Sequence, residues 1–164
     1  MLRAPELLTA DHDLGDFDSG TSSLDDWLRR RAQANQASGA SRTFVLCDDD
    51  RVVGYYALAA SAVAPEAALG RFRRNMPDPV LVAVLGRLAI DKSHQRQGLG
   101  RELFHDAALR VIAAADGIGI RGMMVHPISD EAKAFYLGLG LDVSPLEPMM
   151  LMVTVVDLKA ATNR

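Results

Sequence analysis

Along the chain the spacing of apolar positions changes several times, and each change marks an element. In "SSLDDWLRRRAQANQAS" (22–38), Leu24, Trp27, Leu28 and Ala32 recur three or four apart, which predicts one helix with Trp27 as a core anchor. Ser22 or Ser23 is placed to cap it, Asp25 and Asp26 suit its positive end, and Gly39 stops it. A short strand precedes this helix. "RTFVLCD" and "RVVGYYALAASAVA" then read as two strands joined by the acidic turn Asp48–Asp50. "PEAALGRFRRNMPDP" is a loop or short helix, and the apolar run "VLVAVLGRLAID" suits a buried central strand. Leu103, Phe104, Ala107, Val111 and Ala114 mark an amphipathic helix from Leu99 to Ala115, ending at Asp116–Gly117. "IRGMMVH" reads as a strand, "SDEAKAFYLGLG" as a helix capped by Ser129, and "MMLMVTVVDL" as a closing strand. This order predicts an α/β or α+β fold: a mixed sheet, parallel at its centre, covered by helices.

Composition narrows the class without naming a chemistry. The 164 residues suit a single domain over 1–164, and 49% apolar with 24% charged is the balance of an ordinary soluble protein. A net charge of -3 gives no global sign of nucleic-acid binding, so any such contact rests on local basic patches. The single cysteine, Cys47, has no partner for an internal disulfide, which suits a reducing compartment, and its apolar setting predicts a packing role. No apolar stretch reaches the roughly 18 residues of a membrane span, and no secretory leader is evident, so a cytoplasmic protein without membrane contact is expected. Three adjacent acids at 48–50 do not converge on one ion, and no metal is expected.

Two glycine patterns compete for attention. "GIGIRG" (117–122) matches the dinucleotide pattern G-x-G-x-x-G, but it follows a helix and precedes a strand, the reverse of what pyrophosphate binding needs. "QRQGLG" (95–100) has the right context, a buried strand before it and a helix after it. The free amides of a first helical turn, with the helix dipole, favour an anion there. Gly98 and Gly100 keep side chains out of its way, and Arg96 and Arg101 add positive charge. On this stretch alone, an ordinary glycine-rich helix start and an anion cradle stand level. Of the histidines, His12 reads as surface loop, His105 as structural, and His126 as the end of a strand. His94 reads as a loop residue, with approach to a ligand as the alternative.

The same residues carry a resemblance. Gln95-Arg96-Gln97-Gly98-Leu99-Gly100, with the preceding "LGRLAID" and the following helix, resembles the signature of the GNAT family of acetyl-CoA-dependent N-acetyltransferases. The resemblance implies the GNAT fold, acetyl-CoA as co-substrate and no metal. It implies cofactor contacts at Leu88, Ala89 and Ile90 along the strand, at Gln95 to Arg101 in the loop (Gln95, Arg96, Gln97, Gly98, Leu99, Gly100, Arg101), and at Ser129. "VHPISDEAKAFYLGLGLDVS" resembles the family's final segment, where a tyrosine stands beside the thioester sulfur, and implies Tyr136 as the catalytic acid. A packing role for Phe135 and Tyr136 is the alternative. Gly140-Leu141 and Pro127 depart from the common pattern.

"FDSGTSSLDDWLRRRAQANQASGASRTFVL" and "VVGYYALAASAV" further resemble the toxin branch of that family. This implies acetylation of the α-amino group of the amino acid on charged tRNA, a ribbon–helix–helix antitoxin partner and a homodimer. Chemistry agrees. A lysine amine of pKa ~10.4 is neutral about once in 2,500 at pH 7, whereas an α-amine near ~8 is roughly a tenth neutral. No buried acid stands out as a base, because Asp130 and Glu131 read as first-turn helix charges. Contact with tRNA falls on Arg71, Arg73 and Arg74, with Arg29–Arg31 undecided. Arg87 is unusual in a buried strand. It must pair with an acid, line the cleft or reach the acceptor end. Two rivals share the loop: an N-acetyltransferase of a small amine or protein N-terminus, and a non-catalytic acyl-CoA-binding module.

Overall fold

Strands β1 (Glu6–Leu7), β2 (Arg42–Asp48), β3 (Arg51–Val63), β4 (Val80–Ile90), β5 (Gly122–Val125), β6 (Asp142–Val143) and β7 (Leu151–Thr154) form one seven-stranded sheet. Their order is β1-β2-β3-β4-β5-β7-β6 in this computed structural model, which describes residues 1–163. β2 runs antiparallel to β1 and β3, β4 parallel to β5, and β7 antiparallel to β5 and β6. Helices are α1 (Ser22–Arg30), α2 (Ala32–Ser38), α3 (Gly70–Arg73), α4 (Leu99–Ala115), α5 (Asp130–Gly138) and α6 (Val155–Thr162). The expected mixed sheet is present, and α4 is the long connection that a parallel pair requires.

Three elements differ from the sequence reading. The helix expected over 22–38 is two, because Arg31 leaves helical geometry at φ −120°, ψ −32°. Thr21, not Ser22 or Ser23, holds the cap position, and no side-chain cap bond forms there. Asp25 fastens the entry instead: it is buried, accepts from the Ser19 amide at 3.1 Å, and accepts from Ser19 Oγ at 2.6 Å. The closing strand stops at Thr154, whose hydroxyl accepts from the Asp157 amide at 3.1 Å and starts α6. That capping pair sits inside an apolar run and outweighs its strand propensity. β6 went unread because two residues leave no periodicity.

The chain divides into two compact units. The first comprises Met1–Ala59 and Gly86–Ala107, with a core that includes Leu14, Phe17, Leu24, Leu28, Val45, Cys47, Tyr55 and Ala89. Trp27 is only partly buried against that core, a border rather than a central anchor. The second comprises Ala60–Leu85 and the chain from Ala108 onward, with Phe72, Val80, Val82, Met124, Met150 and Met152 in its core. No helix among the described residues is long and apolar enough to cross a membrane.

Candidate functional site

In the first unit, β4 leads straight into the loop that precedes α4. Asp91 braces this junction. Its carboxylate, 2% exposed, accepts from Asp18 N at 2.8 Å, Ser93 N at 3.0 Å, Ser93 Oγ at 2.6 Å and Arg51 Nη2 at 3.0 Å. Burial opposes its charge, yet the Ser93 hydroxyl, two backbone amides and Arg51 together hold the carboxyl below the usual range. Gln95 Nε2 donates to Ile90 O at 2.9 Å and to Ser19 O at 2.7 Å. His94 bridges Ser93 Oγ at 2.7 Å and Asp48 Oδ2 at 2.9 Å, which gives it a structural part in the loop.

With side chains of 91–95 engaged in shaping the turn, the backbone beyond it is presented. Arg96 at φ 64° and Gly98 at φ 80° are both left-handed, and backbone alternation of this kind turns successive N–H groups to one side. Gly98 O accepts the Glu102 amide at 3.2 Å, so Leu99, Gly100 and Arg101 supply the first turn of α4. First-turn amides have no acceptor inside a helix. Leu99 is buried and pins this turn, while Arg96 and Arg101 are exposed at its rim. The packing that sets α4 depends on Gly54: an added Cβ would stand 2.9 Å from Ile90 Cδ1 and 3.2 Å from Leu103 Cδ1. These residues fit a diphosphate.

A Cβ added at Gly98 meets nothing within 4 Å, so alanine there is strained only by its backbone conformation. Gly98→Ala is expected to cost about 1–2 kcal/mol of stability and to raise the Kd for acetyl-CoA roughly tenfold, read by calorimetry. An unchanged Kd would remove Gly98 from the anion site.

Leu88, Ala89 and Ile90 end β4. The pairing of β4 with β5 covers only Ala83–Leu85, so all three lie past its end. Ala89 is buried in the first core, and Leu88 and Ile90 are half-buried. In the second unit, Ser129 caps α5, accepting from Ala132 N at 3.1 Å, and Asp130 and Glu131 occupy the first turn as expected. Tyr136 is 6% exposed on α5 and packs edge-on against Phe135, with centroids 5.1 Å apart. Burial pushes its phenol well above the ordinary value, so the group is protonated at neutral pH.

The arginines separate by partner. Arg71 on α3 pairs with Asp142 and, through Nε, with Asp157 at 3.5 Å. Arg121, which sequence reasoning missed, holds the same segment by donating to the carbonyls of Phe72 (2.8 Å) and Arg71. Arg73 and Arg74 are exposed, and no carboxylate pairs with either among the described residues. Arg29 Nη1 donates to Phe17 O at 2.6 Å. "GIGIRG" forms the turn between α4 and β5, as its context required.

Glu6, His12 and Cys47 bring three possible ligand atoms within 4.8 Å of one another. Arg3 occupies Glu6 Oε1 at 2.7 Å, and the Thr9 amide donates to His12 Nδ1 at 2.9 Å. His12 Nε2 lies 3.5 Å from Glu6 Oε1, so Glu6 and His12 are already engaged by protein partners. His12 is thereby more enclosed than a surface-loop residue. Cys47 is 1% exposed, and burial pushes its thiol up, which removes it as a nucleophile.

Residues 39–140 match the model of the acetyltransferase (GNAT) domain. Over 157 residues the chain is 50% identical to a tRNA-acetylating toxin of Mycobacterium tuberculosis, covering 96% of this chain and 95% of that protein. Among solved structures, AtaT complexed with acetyl-methionyl-tRNAfMet superposes with TM-score 0.89 at 29% identity, covering 98% of each chain. A tyrosine-to-phenylalanine mutant of KacT gives TM-score 0.89 at 27% identity, covering 97% of this chain and 98% of that one. The glycine loop between β4 and α4, the mixed sheet and these matches have one explanation: the chain is a member of the GNAT acetyltransferase family.

Proposed function

We propose that this protein transfers an acetyl group from acetyl-CoA to the α-amino group of the amino acid on charged tRNA, and acts in the cytoplasm as the toxin of a toxin–antitoxin pair. The observation that carries this reading is 50% identity, across 96% of the chain, to a tRNA-acetylating toxin. Three further neighbours support it: AtaT with acetyl-methionyl-tRNAfMet, the AtaT–AtaR assembly with acetyl-CoA, and AtaT bound to the C-terminus of the antitoxin AtaR. The whole chain, 1–164, serves as one catalytic domain and works with an antitoxin of the ribbon–helix–helix class, as a homodimer.

Bound acetyl-CoA would supply the acetyl group as an activated thioester. The amides of Gly98, Leu99, Gly100 and Arg101 hold its diphosphate, with Gln95 and Gln97 shaping the loop and Arg96 adding charge. The backbone of Leu88, Ala89 and Ile90 orients the acyl end and polarises its carbonyl. Ser129 adds a polar contact beside its capping role. The amine attacks directly, and buried Cys47 offers no route to an acyl-enzyme. Tyr136 Oη donates a hydrogen bond to the leaving thiolate, which takes up the proton that the attacking amine loses as the amide forms. A phenol pushed up by burial is a weak acid, so its contribution is a hydrogen bond that strengthens as charge develops on sulfur. No strong base is required, since roughly a tenth of an α-amine is neutral at pH 7. Arg73 and Arg74 contact phosphates, with Arg71 beside them.

The test is incubation with labelled acetyl-CoA and charged tRNA. Label on the released aminoacyl group supports the reading, and label confined to free small amines or protein N-termini overturns it.

A further inference from the structure

Arg87 and Trp27 lie on different elements of the first unit, and the guanidinium lies over the indole ring. The Arg87 Cζ stands 5.2 Å from the Trp27 ring centroid. Trp27 in turn stacks on Tyr55, with centroids 6.0 Å apart and planes 8° from parallel. Tyr55 is fully buried and fastened by its hydroxyl, which donates to Leu24 O at 2.6 Å. The guanidinium therefore rests on a two-ring base whose lower ring is buried and hydrogen-bonded. Strand alternation puts Arg87 on the same face of β4 as Ala89, which belongs to the core that Trp27 borders.

What the guanidinium lacks is an acid. Its Nη1 donates to Gly86 O at 3.1 Å, and among the described residues no carboxylate lies within ion-pair distance of it. A cation laid against an indole and half-buried has given up part of its hydration. The planar fork keeps further N–H donors in a geometry that matches a phosphate. Its place in the strand says whose phosphate. Arg87 directly precedes Leu88–Ile90, at about 3.3 Å per residue, whereas the loop assigned to the cofactor diphosphate begins beyond Asp91.

We infer that Trp27 is a positioning residue that holds Arg87, and that Arg87 grips a backbone phosphate at the aminoacylated end of the acceptor. This rests on the acetylation of charged tRNA proposed above. A tRNA grip near the reacting end differs from the Arg73 and Arg74 contacts in acting on the terminal nucleotides, so a charged acceptor minihelix suffices to probe it.

Arg87→Gln is expected to raise the KM for charged minihelix about tenfold and to flatten the slope of log(kcat/KM) against log salt by about one. The KM for acetyl-CoA stays as it was. Arg87→Lys keeps the charge and the slope but loses the fork, so KM still rises. Trp27→Leu reproduces part of the Arg87→Gln effect and Trp27→Phe recovers most of it. Because Trp27 is the single tryptophan, its fluorescence reports docking directly: charged minihelix shifts the wild-type signal and leaves that of Arg87→Gln unmoved. Unchanged KM and slope in Arg87→Gln overturn the inference, as does a Trp27→Leu protein that loses thermal stability alone. A wild type that acetylates no charged RNA overturns the parent reading instead, and this inference with it.

Discussion

Tyr136→Phe is expected to lower kcat for acetyl transfer by at least about 100-fold while leaving the Kd for acetyl-CoA within about twofold. The substitution removes one oxygen from a ring that is 6% exposed and keeps its packing against Phe135. Folding should survive, since the cost is limited to hydrogen bonds at one hydroxyl, about 1 kcal/mol. The loss must then fall on the step in which sulfur becomes charged. Stopped-flow turnover beside calorimetric binding separates the two readouts. A variant with near wild-type kcat would assign Tyr136 to packing. The pH dependence carries a second check with a definite sign. Because burial raises the phenol, this group stays protonated throughout the neutral range, so any acidic or basic limb seen between pH 6 and 9 belongs to another group and persists in the variant.

The other large effect is expected at Asp91. Asp91→Ala leaves the amides of Asp18 and Ser93 without their acceptor in a site 2% exposed and removes the partner of Arg51. A cost of about 2–4 kcal/mol is expected, from orphaned donors and a lost ion pair. The loop that presents Arg96 to Arg101 hangs from this carboxylate, so acetyl-CoA affinity should fall with stability. Asp91→Asn separates the two causes, since it keeps an acceptor and loses the charge. The folded carboxyl lies below its unfolded value, so its contribution is present above the unfolded pKa, about 3.9. It is lost as pH falls through the folded value. The gap in urea midpoint between wild type and Asp91→Asn should therefore be full at pH 7 and shrink below about pH 4. A gap that is flat across that range would show that the charge contributes nothing.

Much of this protein is legible in one dimension. The order of strands and helices follows from periods of two and of 3.6, which neighbouring residues impose without help from distant ones. The form of the glycine loop is legible because a strand, a left-handed turn and a helix start are all local events. Context also sufficed to reject "GIGIRG", which forms the turn its position demanded. Local signals misled where two of them overlapped. The apolar run from Met149 onward reads as one strand, yet Thr154 and Asp157 form a cap within it and the chain turns helical. The helical stripe of 22–38 carries no warning of the break at Arg31.

The sequence by itself determined most of the strands and helices, and the strand–turn–helix form of the loop between β4 and α4, because each depends on residues within a few positions of one another. Tertiary structure alone decided which side chains are committed and which are left to meet a ligand. Asp91 gains its place by meeting Asp18, 73 positions away, and Gln95 by meeting Ser19, 76 positions away. Arg71 is engaged by Asp142, 71 positions on, while among the described residues no carboxylate pairs with Arg73 or Arg74 beside it. Arg87 reads in the sequence as a misplaced charge, and only the fold sets Trp27 beneath it. Charge and hydrogen-bonding capacity are written along the chain, but whether they are satisfied depends on distances that only folding creates.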